Sequence, residues 1–224
     1  MKTKNNYAVI ITTSAIALLP ILLSAIIYSD LPEQIALQWG AGENAQNFAP
    51  KSFAAFGVPL LLTALNIITK LLMYNDPKRA NVSQKMGGII TWIIPVISLV
   101  TVPAVLFIAM GAEIPMTLIV PLFVGILFIL MGNYLPKNRQ NFYVGYKTPW
   151  ALADADNWNK THRLAGYLWI IGGAVMIAQA FVGFESIGWV VLSAIVLVLV
   201  VLAPLIYSFV LYKKSAGGQK LGGE

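Results

Sequence analysis

Long apolar runs, each closed by polar or charged residues, alternate along this chain of 224 residues. Six runs are long enough to cross a hydrocarbon core of about 30 Å, which takes about 20 helical residues. These candidate spans lie at about 7–29, 53–74, 87–111, 115–135, 164–183 and 188–212. The pattern predicts an all-α fold, a polytopic membrane protein with six transmembrane helices.

Proline occurs inside most of the predicted spans. The residues concerned are Pro20, Pro59, Pro95, Pro103, Pro121 and Pro204. Soluble helices tolerate interior proline poorly, but membrane helices accept it when neighbouring groups satisfy the backbone carbonyls that lose a donor. Kinked helices are therefore expected.

Composition supports a membrane protein and limits its chemistry. Hydrophobic residues make up 58% of the chain and charged residues 11%, against about 25% charged residues in soluble globular proteins. With no cysteine and one histidine, disulfides and Cys-based or His-rich metal sites are excluded. We expect neither a metal nor a cofactor.

The distribution of cations predicts the orientation. With the N-terminus in the cytoplasm, only Lys51 lies outside, as the positive-inside rule requires. The cytoplasmic side then holds Lys2, Lys4, Lys70, Lys78, Arg79, Lys85, Lys137, Arg139, Lys147, Lys160, Arg163, Lys213, Lys214 and Lys220. Both termini are predicted to be cytoplasmic. The net charge of +6 then reflects contact with inner-leaflet lipids rather than nucleic-acid binding.

Two connections are longer than the others and divide the chain. The region 1–85 holds two helices and an external loop at 30–52, and the region 86–224 holds four helices and a cytoplasmic loop at 136–163. In the external loop, Trp39 and Phe48 suit a membrane interface. Two interpretations of this loop stay open, a structural cap on the bundle and a ligand-facing surface.

The cytoplasmic loop contains the signals of two helix starts. Thr148 can cap a helix whose first residue is Pro149, and Asp154 or Asp156 can begin a second helix that continues into the fifth span. On that second helix, the residues that share one face are Trp158, Thr161, His162 and Ala165. This face suits either an interfacial helix among lipid headgroups or a polar pocket, for which the candidates are Asn141, Lys147, Thr148 and His162.

The same loop resembles the signature of the SdpI family, bacterial membrane proteins named for immunity to a secreted toxin. The residues that carry the resemblance are Asn141, Gly145, Thr148, Pro149, Trp150, Trp158, Thr161, His162, Arg163 and Gly166. The external loop is similar to a short domain that often precedes this signature, through Leu31, Pro32, Trp39, Gly42 and Lys51. The chain departs from the usual patterns at Gln38, Ala45 and Lys147.

The resemblance implies a multi-pass protein of the bacterial cytoplasmic membrane that acts in toxin immunity and signal transduction. It implies that a secreted peptide toxin or similar ligand is recognised outside and that a transcriptional repressor is held at the cytoplasmic face. The implied outer site is Leu31, Pro32, Gln38, Trp39, Gly42 and Lys51. The implied inner site is Asn141, Gly145, Lys147, Thr148, Pro149, Trp150, Trp158, Thr161, His162 and Arg163. The partners are membrane lipids, the toxin and the repressor.

The alternative is a small-molecule transporter or a membrane-embedded enzyme that uses the cytoplasmic polar loop. Ion-coupled transport usually places ionisable groups near the bilayer midplane, and we expect no span to carry one away from its ends. Asn66 and Gln179 suit hydrogen bonds between helices, and Ala174 and Ala178 suit close helix packing. No nucleophile elbow, phosphate loop or metal motif is present, so we do not expect an enzyme.

Overall fold

A computed structural model describes residues 2–40, 44–182 and 187–221. The helices are α1 (Lys2–Ile27), α2 (Val58–Asn75), α3 (Gln84–Ala109), α4 (Met116–Tyr134), α5 (Pro149–Ala153), α6 (Ala155–Val182) and α7 (Ile187–Leu221). Two strands, β1 (Gln34–Trp39) and β2 (Ala45–Pro50), lie between α1 and α2. A π-helical turn, Phe53–Gly57, leads directly into α2.

Six helices of the described chain are long and apolar enough to cross a membrane, which confirms the predicted number of spans. Their outer surfaces are apolar as well, because side chains such as Leu61, Leu72 and Val201 are more than half exposed. A soluble protein would bury such side chains, whereas lipid tails cover them without cost. The chain is therefore a multi-pass membrane protein.

The chain forms two compact units. Unit 1 comprises Met1–Asn75 and Gly88–Thr117, and unit 2 comprises Asp76–Gly87 and Leu118–Glu224. Unit 1 thus contains α1, α2, the hairpin and most of α3, while unit 2 contains α5, α6, α7 and most of α4. The division into regions 1–85 and 86–224 was drawn from spans and loops, and it stays a prediction.

In unit 1, the loop that was predicted to be external folds as a β-hairpin, which the sequence analysis missed. β1 and β2 pair antiparallel, with Ile35 opposite Ala49 and Trp39 opposite Ala45. Ile35 is almost fully buried in a cluster that includes Leu106 of α3. The hairpin is therefore packed on the helices of its own unit.

The sequence analysis counted Lys70 among the cytoplasmic cations and did not predict that its side chain is buried. This residue lies more than one helical turn before the end of α2, and its side chain is fully buried. Its amino group contacts Asn66 and two backbone carbonyls of α3. Asn66 also donates to Thr13 and Ser14 of α1, so its predicted role in joining helices is confirmed.

In unit 2, α4 and α6 cross at two pairs of glycines. A Cβ on Gly125 would lie 2.6 Å from the carbonyl oxygen of Gly173, and one on Gly132 would lie 2.8 Å from that of Gly166. Only glycine permits so close an approach of two backbones. This contact fixes the position of α6, which carries Trp158 and His162.

Both helix starts predicted in the cytoplasmic loop are confirmed. The Thr148 hydroxyl accepts a hydrogen bond from the Ala151 amide, and Pro149 is the first residue of α5. The Asp154 carboxylate accepts from the Asp156 amide just before α6, and α6 then runs without a break through Trp158 into the fifth span. The helix therefore begins earlier than the predicted span, 164–183.

The orientation can be tested with single cysteines, because the chain has none of its own. Ala45 lies in the hairpin, Ala80 lies in the connection between α2 and α3, and both are exposed. From the cation asymmetry, we expect an impermeant maleimide to label Ala45→Cys in intact cells and Ala80→Cys only after permeabilisation. The reverse pattern would contradict cytoplasmic termini.

Candidate functional site

His162 of α6 anchors the loop that precedes α5. Its Nε2 accepts a hydrogen bond from the backbone N–H of Tyr146, with an N···N distance of 3.0 Å. Because Nε2 accepts, the ring proton is on Nδ1, which donates to the Trp158 carbonyl at 2.8 Å. Both ring nitrogens are therefore engaged by the backbone, and the neutral tautomer satisfies both bonds.

Trp158 completes the support for this histidine. Its indole stacks on the imidazole, with ring centroids 3.9 Å apart and an interplanar angle of 22°. The indole N–H donates to the Asn138 carbonyl at 2.9 Å, and the side chain is fully buried. The face predicted for Trp158, Thr161, His162 and Ala165 is confirmed as one face, and it is buried in protein rather than lying among lipid headgroups.

Gly145 fits a position that no other residue can occupy without strain. Its φ angle of 108° lies in the left-handed region, where glycine has no steric penalty. A Cβ at this position would also collide with Nε2 of His162. The glycine therefore lets the loop approach the imidazole closely enough for Tyr146 to donate its N–H.

The Tyr146 side chain fastens the loop to two helices. Its hydroxyl donates to the Val200 carbonyl of α7 at 2.6 Å and accepts from the indole N–H of Trp169 at 2.9 Å. The Val200 carbonyl lacks its usual helix donor, because that position is Pro204. Burial raises the pKa of the Tyr146 phenol, and the hydrogen bond from Trp169 opposes that rise, so the hydroxyl keeps its proton.

A buried polar cluster links α6 to α7 close to this loop. Asn157 donates to the Ser208 carbonyl at 2.9 Å and accepts from the Ser208 hydroxyl at 2.7 Å. The Thr161 hydroxyl donates to the same Asn157 oxygen at 3.1 Å. Thr148, the cap of α5, lies 3.4 Å from the Ser208 hydroxyl. Each bond of this kind contributes roughly 0.6 kcal/mol in membrane proteins, and together they fix the relative position of the three helices.

The loop is also tied to the connection between α2 and α3. The Asp76 carboxylate accepts from the Phe142 amide at 3.0 Å, and Asn81 donates to the Gln140 carbonyl at 2.6 Å. The fully buried Asn141 caps its own turn by accepting from the amide of Val144 at 2.6 Å. These two connections therefore form one hydrogen-bonded surface.

The residues of the predicted inner site fall into two groups. Asn141, Trp158, Thr161 and His162 are buried, whereas Lys147, Pro149 and Arg163 are exposed. Gly145 and Thr148 are partly buried. Gly145 provides the positive φ of the loop, and Thr148 caps α5. The structure thus brings most of these residues together where the loop before α5 packs on α6, and three of them are exposed.

Trp150, the remaining residue of the predicted inner site, is partly buried. Its ring lies 5.3 Å from that of Phe209 and stacks at 5.9 Å on that of Tyr212. Its indole nitrogen is buried and has no hydrogen-bond partner among the described residues. An indole usually finds such a partner when it is buried.

The hairpin borders a groove of about 210 Å³ within unit 1. Its lining is almost entirely apolar and comes from the hairpin and from α3. The lining residues are Pro32, Gln34, Ile35, Ala36, Trp39, Ala45, Phe48, Val105, Ile108 and Ala109. Phe48 is 59% exposed, so a large aromatic ring stands at the open side of the groove.

The predicted outer-site residues occupy different environments. Trp39 and Pro32 line the groove, and Leu31 is buried beneath the hairpin. The exposed Gln38 accepts a side-chain hydrogen bond from Asn47 across the hairpin. The prediction for Gly42 lies outside the described residues.

Lys51, the remaining outer candidate, closes the base of the hairpin. Its amino group lies 2.9 Å from the Glu33 carboxylate and 5.0 Å from the centroid of the Tyr28 ring. Its amide also donates to the Glu33 carbonyl at 3.0 Å. These contacts show a role in the fold of the hairpin.

Sequence reasoning missed several residues that hold in place the connection 138–148, called the inner loop below. They are Asp76, Asn81, Asn138, Tyr146, Asn157, Trp169 and Ser208. One signal was available, because the carbonyl four residues before Pro204 needs an outside donor. Among the described residues, no three His, Asp or Glu side chains lie close enough to hold a metal.

Replacing Gly145 with Ala should destabilise the inner loop. The positive φ alone costs roughly 1–3 kcal/mol for a residue with a Cβ, and the new methyl group would displace His162. We expect a lower midpoint of thermal unfolding for the purified protein in detergent. Gly88→Ala is the matched control, because a Cβ there meets no atom within 4 Å, and equal midpoints for the two variants would contradict this role.

Two substitutions at His162 separate a positioning role from acid–base chemistry. His162→Gln keeps a donor and an acceptor, whereas His162→Ala leaves the partly buried Tyr146 amide without its acceptor, which costs about 1–3 kcal/mol. We therefore expect the Gln variant to retain most of the stability and activity and the Ala variant to lose both. Two inactive variants that are both well folded would instead indicate a catalytic histidine.

Comparison with known proteins gives one match that contains the hairpin and one that contains the loop before α5. Residues 137–208 match the SdpI/YfhL protein family, and residues 15–63 match a domain of unknown function, DUF1648. The chain is 28% identical over 209 residues to a protein named Immunity protein SdpI from Bacillus subtilis (strain 168), covering 91% of this chain and 96% of that protein. No solved structure matches the chain.

These matches cover the two loops on which the resemblance was based. The SdpI/YfhL match includes the loop fastened by Tyr146 and His162, and it ends at Ser208 of the buried cluster. The DUF1648 match contains both strands of the hairpin. The chain is therefore a multi-pass protein of the bacterial cytoplasmic membrane that is similar to the SdpI/YfhL family over residues 137–208.

Proposed function

We propose that this chain is a membrane immunity protein that protects a bacterial cell from a secreted peptide toxin or a similar ligand. The observation that carries the proposal is the similarity to Immunity protein SdpI, which extends over 91% of this chain. A similarity of that extent includes both the hairpin and the inner loop. The proposal therefore assigns a function to each.

The outer groove is the proposed recognition surface. It is lined by apolar side chains from the hairpin and α3, and Trp39 and Phe48 belong to the lining. Large aromatic rings often dominate binding energy at such surfaces. Its volume of about 210 Å³ suits a single large apolar side chain, so a hydrophobic segment of a peptide is the ligand that it favours.

The inner loop is the proposed surface for a cytoplasmic partner, a transcriptional repressor. The buried residues of the signature hold the loop in one conformation, and a partner would contact only what they leave exposed. Lys147, Pro149 and Arg163 are exposed, and the neighbouring Phe142 is 48% exposed. The Lys78 amino group lies 5.1 Å from the centroid of the Phe142 ring, and exposed cations favour a partner with acidic residues.

The geometry gives less support to an enzyme. Both nitrogens of His162 are used by the backbone, so neither is available to move a proton without breaking the loop anchor. A transporter needs a group that contacts its substrate within the spans, and Lys70 is the ionisable candidate there. Its amino group is already held by three protein oxygens.

A survival assay tests the proposal. A susceptible host without its own immunity protein is exposed to the secreted toxin, with and without this chain. We expect the chain to restore growth and Trp39→Ala to reduce that protection, because Trp39 lines the groove. The measurement is growth at graded toxin concentrations, at equal abundance of protein in the membrane.

Trp92→Ala is the matched control. Trp92 is 47% exposed on α3 and does not line the groove, so its loss should leave protection unchanged. Equal protection by the Trp39 and Trp92 variants would remove the groove from the site. Absence of protection by the unaltered chain, at full abundance, would contradict the immunity function for that toxin.

A further inference from the structure

Lys70 is a positive charge held inside a membrane-spanning helix by neutral groups. Its Nζ donates to Asn66 Oδ1 at 3.2 Å, to the Ile90 carbonyl at 3.2 Å and to the Thr91 carbonyl at 3.0 Å. Three acceptors use all three N–H groups of an ammonium. A charged side chain within a span is costly, so its contacts need a specific explanation.

The position of Thr91 supplies that explanation. In an α-helix, the carbonyl of residue 91 accepts a hydrogen bond from the amide of residue 95. Residue 95 is Pro95, which lies inside α3 and has no N–H to donate. The Lys70 ammonium therefore stands where the helix cannot supply its own donor. In an apolar medium, a backbone carbonyl without a donor costs several kcal/mol.

We infer that Lys70 is a positioning residue that fixes α3 at Pro95 by donating the hydrogen bond that the proline cannot. Asn66 holds the ammonium from the side of α2 and donates in turn to Thr13 and Ser14 of α1. One chain of hydrogen bonds thus connects α1, α2 and α3 within unit 1.

The consequence for the outer groove follows from the course of α3. Beyond Pro95, the same helix carries Val105, Ile108 and Ala109, which form one wall of the groove. A change in the helix direction at the proline would move that wall relative to the hairpin. Lys70 therefore determines the position of the groove wall without contacting it.

A double-mutant cycle tests this inference independently of any toxin. Lys70→Met removes the donor, and Pro95→Ala restores a backbone N–H that can bond with Thr91. We expect Lys70→Met to lower the midpoint of thermal unfolding in detergent by roughly 4 °C or more. Addition of Pro95→Ala to Lys70→Met should recover most of that loss. Pro103→Ala is the matched control, since Pro103 lies in the same helix, and it should recover none.

A second readout follows the groove wall directly. In a chain without native cysteine, Ile108→Cys reports its own accessibility through the rate of maleimide labelling. We expect Lys70→Met to change that rate at least twofold and Pro95→Ala to return it to the original value. If Pro95→Ala restores neither the unfolding midpoint nor the labelling rate of the Lys70→Met variant, the inference is wrong. A Lys70→Met chain that does not fold while the double variant folds would support it.

Discussion

Backbone groups within a lipid bilayer must find partners inside the protein, because no water is present to replace them. Proline makes this constraint acute, since each proline inside a helix removes one donor. In unit 2, the Val200 carbonyl that Pro204 cannot serve is bonded by the hydroxyl of Tyr146. In unit 1, Thr91 stands in the same relation to Pro95, and Lys70 bonds its carbonyl. Tyr146 and Lys70 thus each donate to a carbonyl whose helix donor has been replaced by proline.

The solution in unit 2 also explains the concentration of polar residues in one loop. Tyr146 can reach α7 only if the loop lies close against α6, and that approach requires Gly145 at a positive φ. His162 then accepts the Tyr146 amide. The polar residues of this stretch are therefore mostly the internal supports of a folded connection. Lys147, by contrast, is exposed.

Local signals predicted much of this architecture. Length and hydropathy were sufficient for the six spans, and Thr148 followed by Pro149 was sufficient for the start of α5, because both depend on neighbours in the sequence. The hairpin was missed although Ile35, Leu37 and Trp39 alternate with smaller or polar residues, a strand pattern.

The long-range contacts could not be predicted in the same way. The Asn157 and Ser208 side chains are 51 positions apart, and nothing in the local spacing of either indicates its partner. Lys70 was expected among cytoplasmic cations, because near the end of a span an exposed lysine and a buried one have the same sequence context. A single sequence reveals that a carbonyl needs a donor, but the donor is identified only by the packing of the helices.

The two hydrogen bonds of His162 explain why a histidine suits this position in so apolar a chain. The site needs one acceptor, for the Tyr146 amide, and one donor, for the Trp158 carbonyl. A neutral imidazole provides both on a rigid ring, and the ring also stacks on Trp158. A lysine offers no acceptor and a carboxylate no donor, and a flexible amide would lose more side-chain entropy on ordering. The histidine is thus suited to hold two backbone groups at fixed positions, which is the task that the geometry gives it.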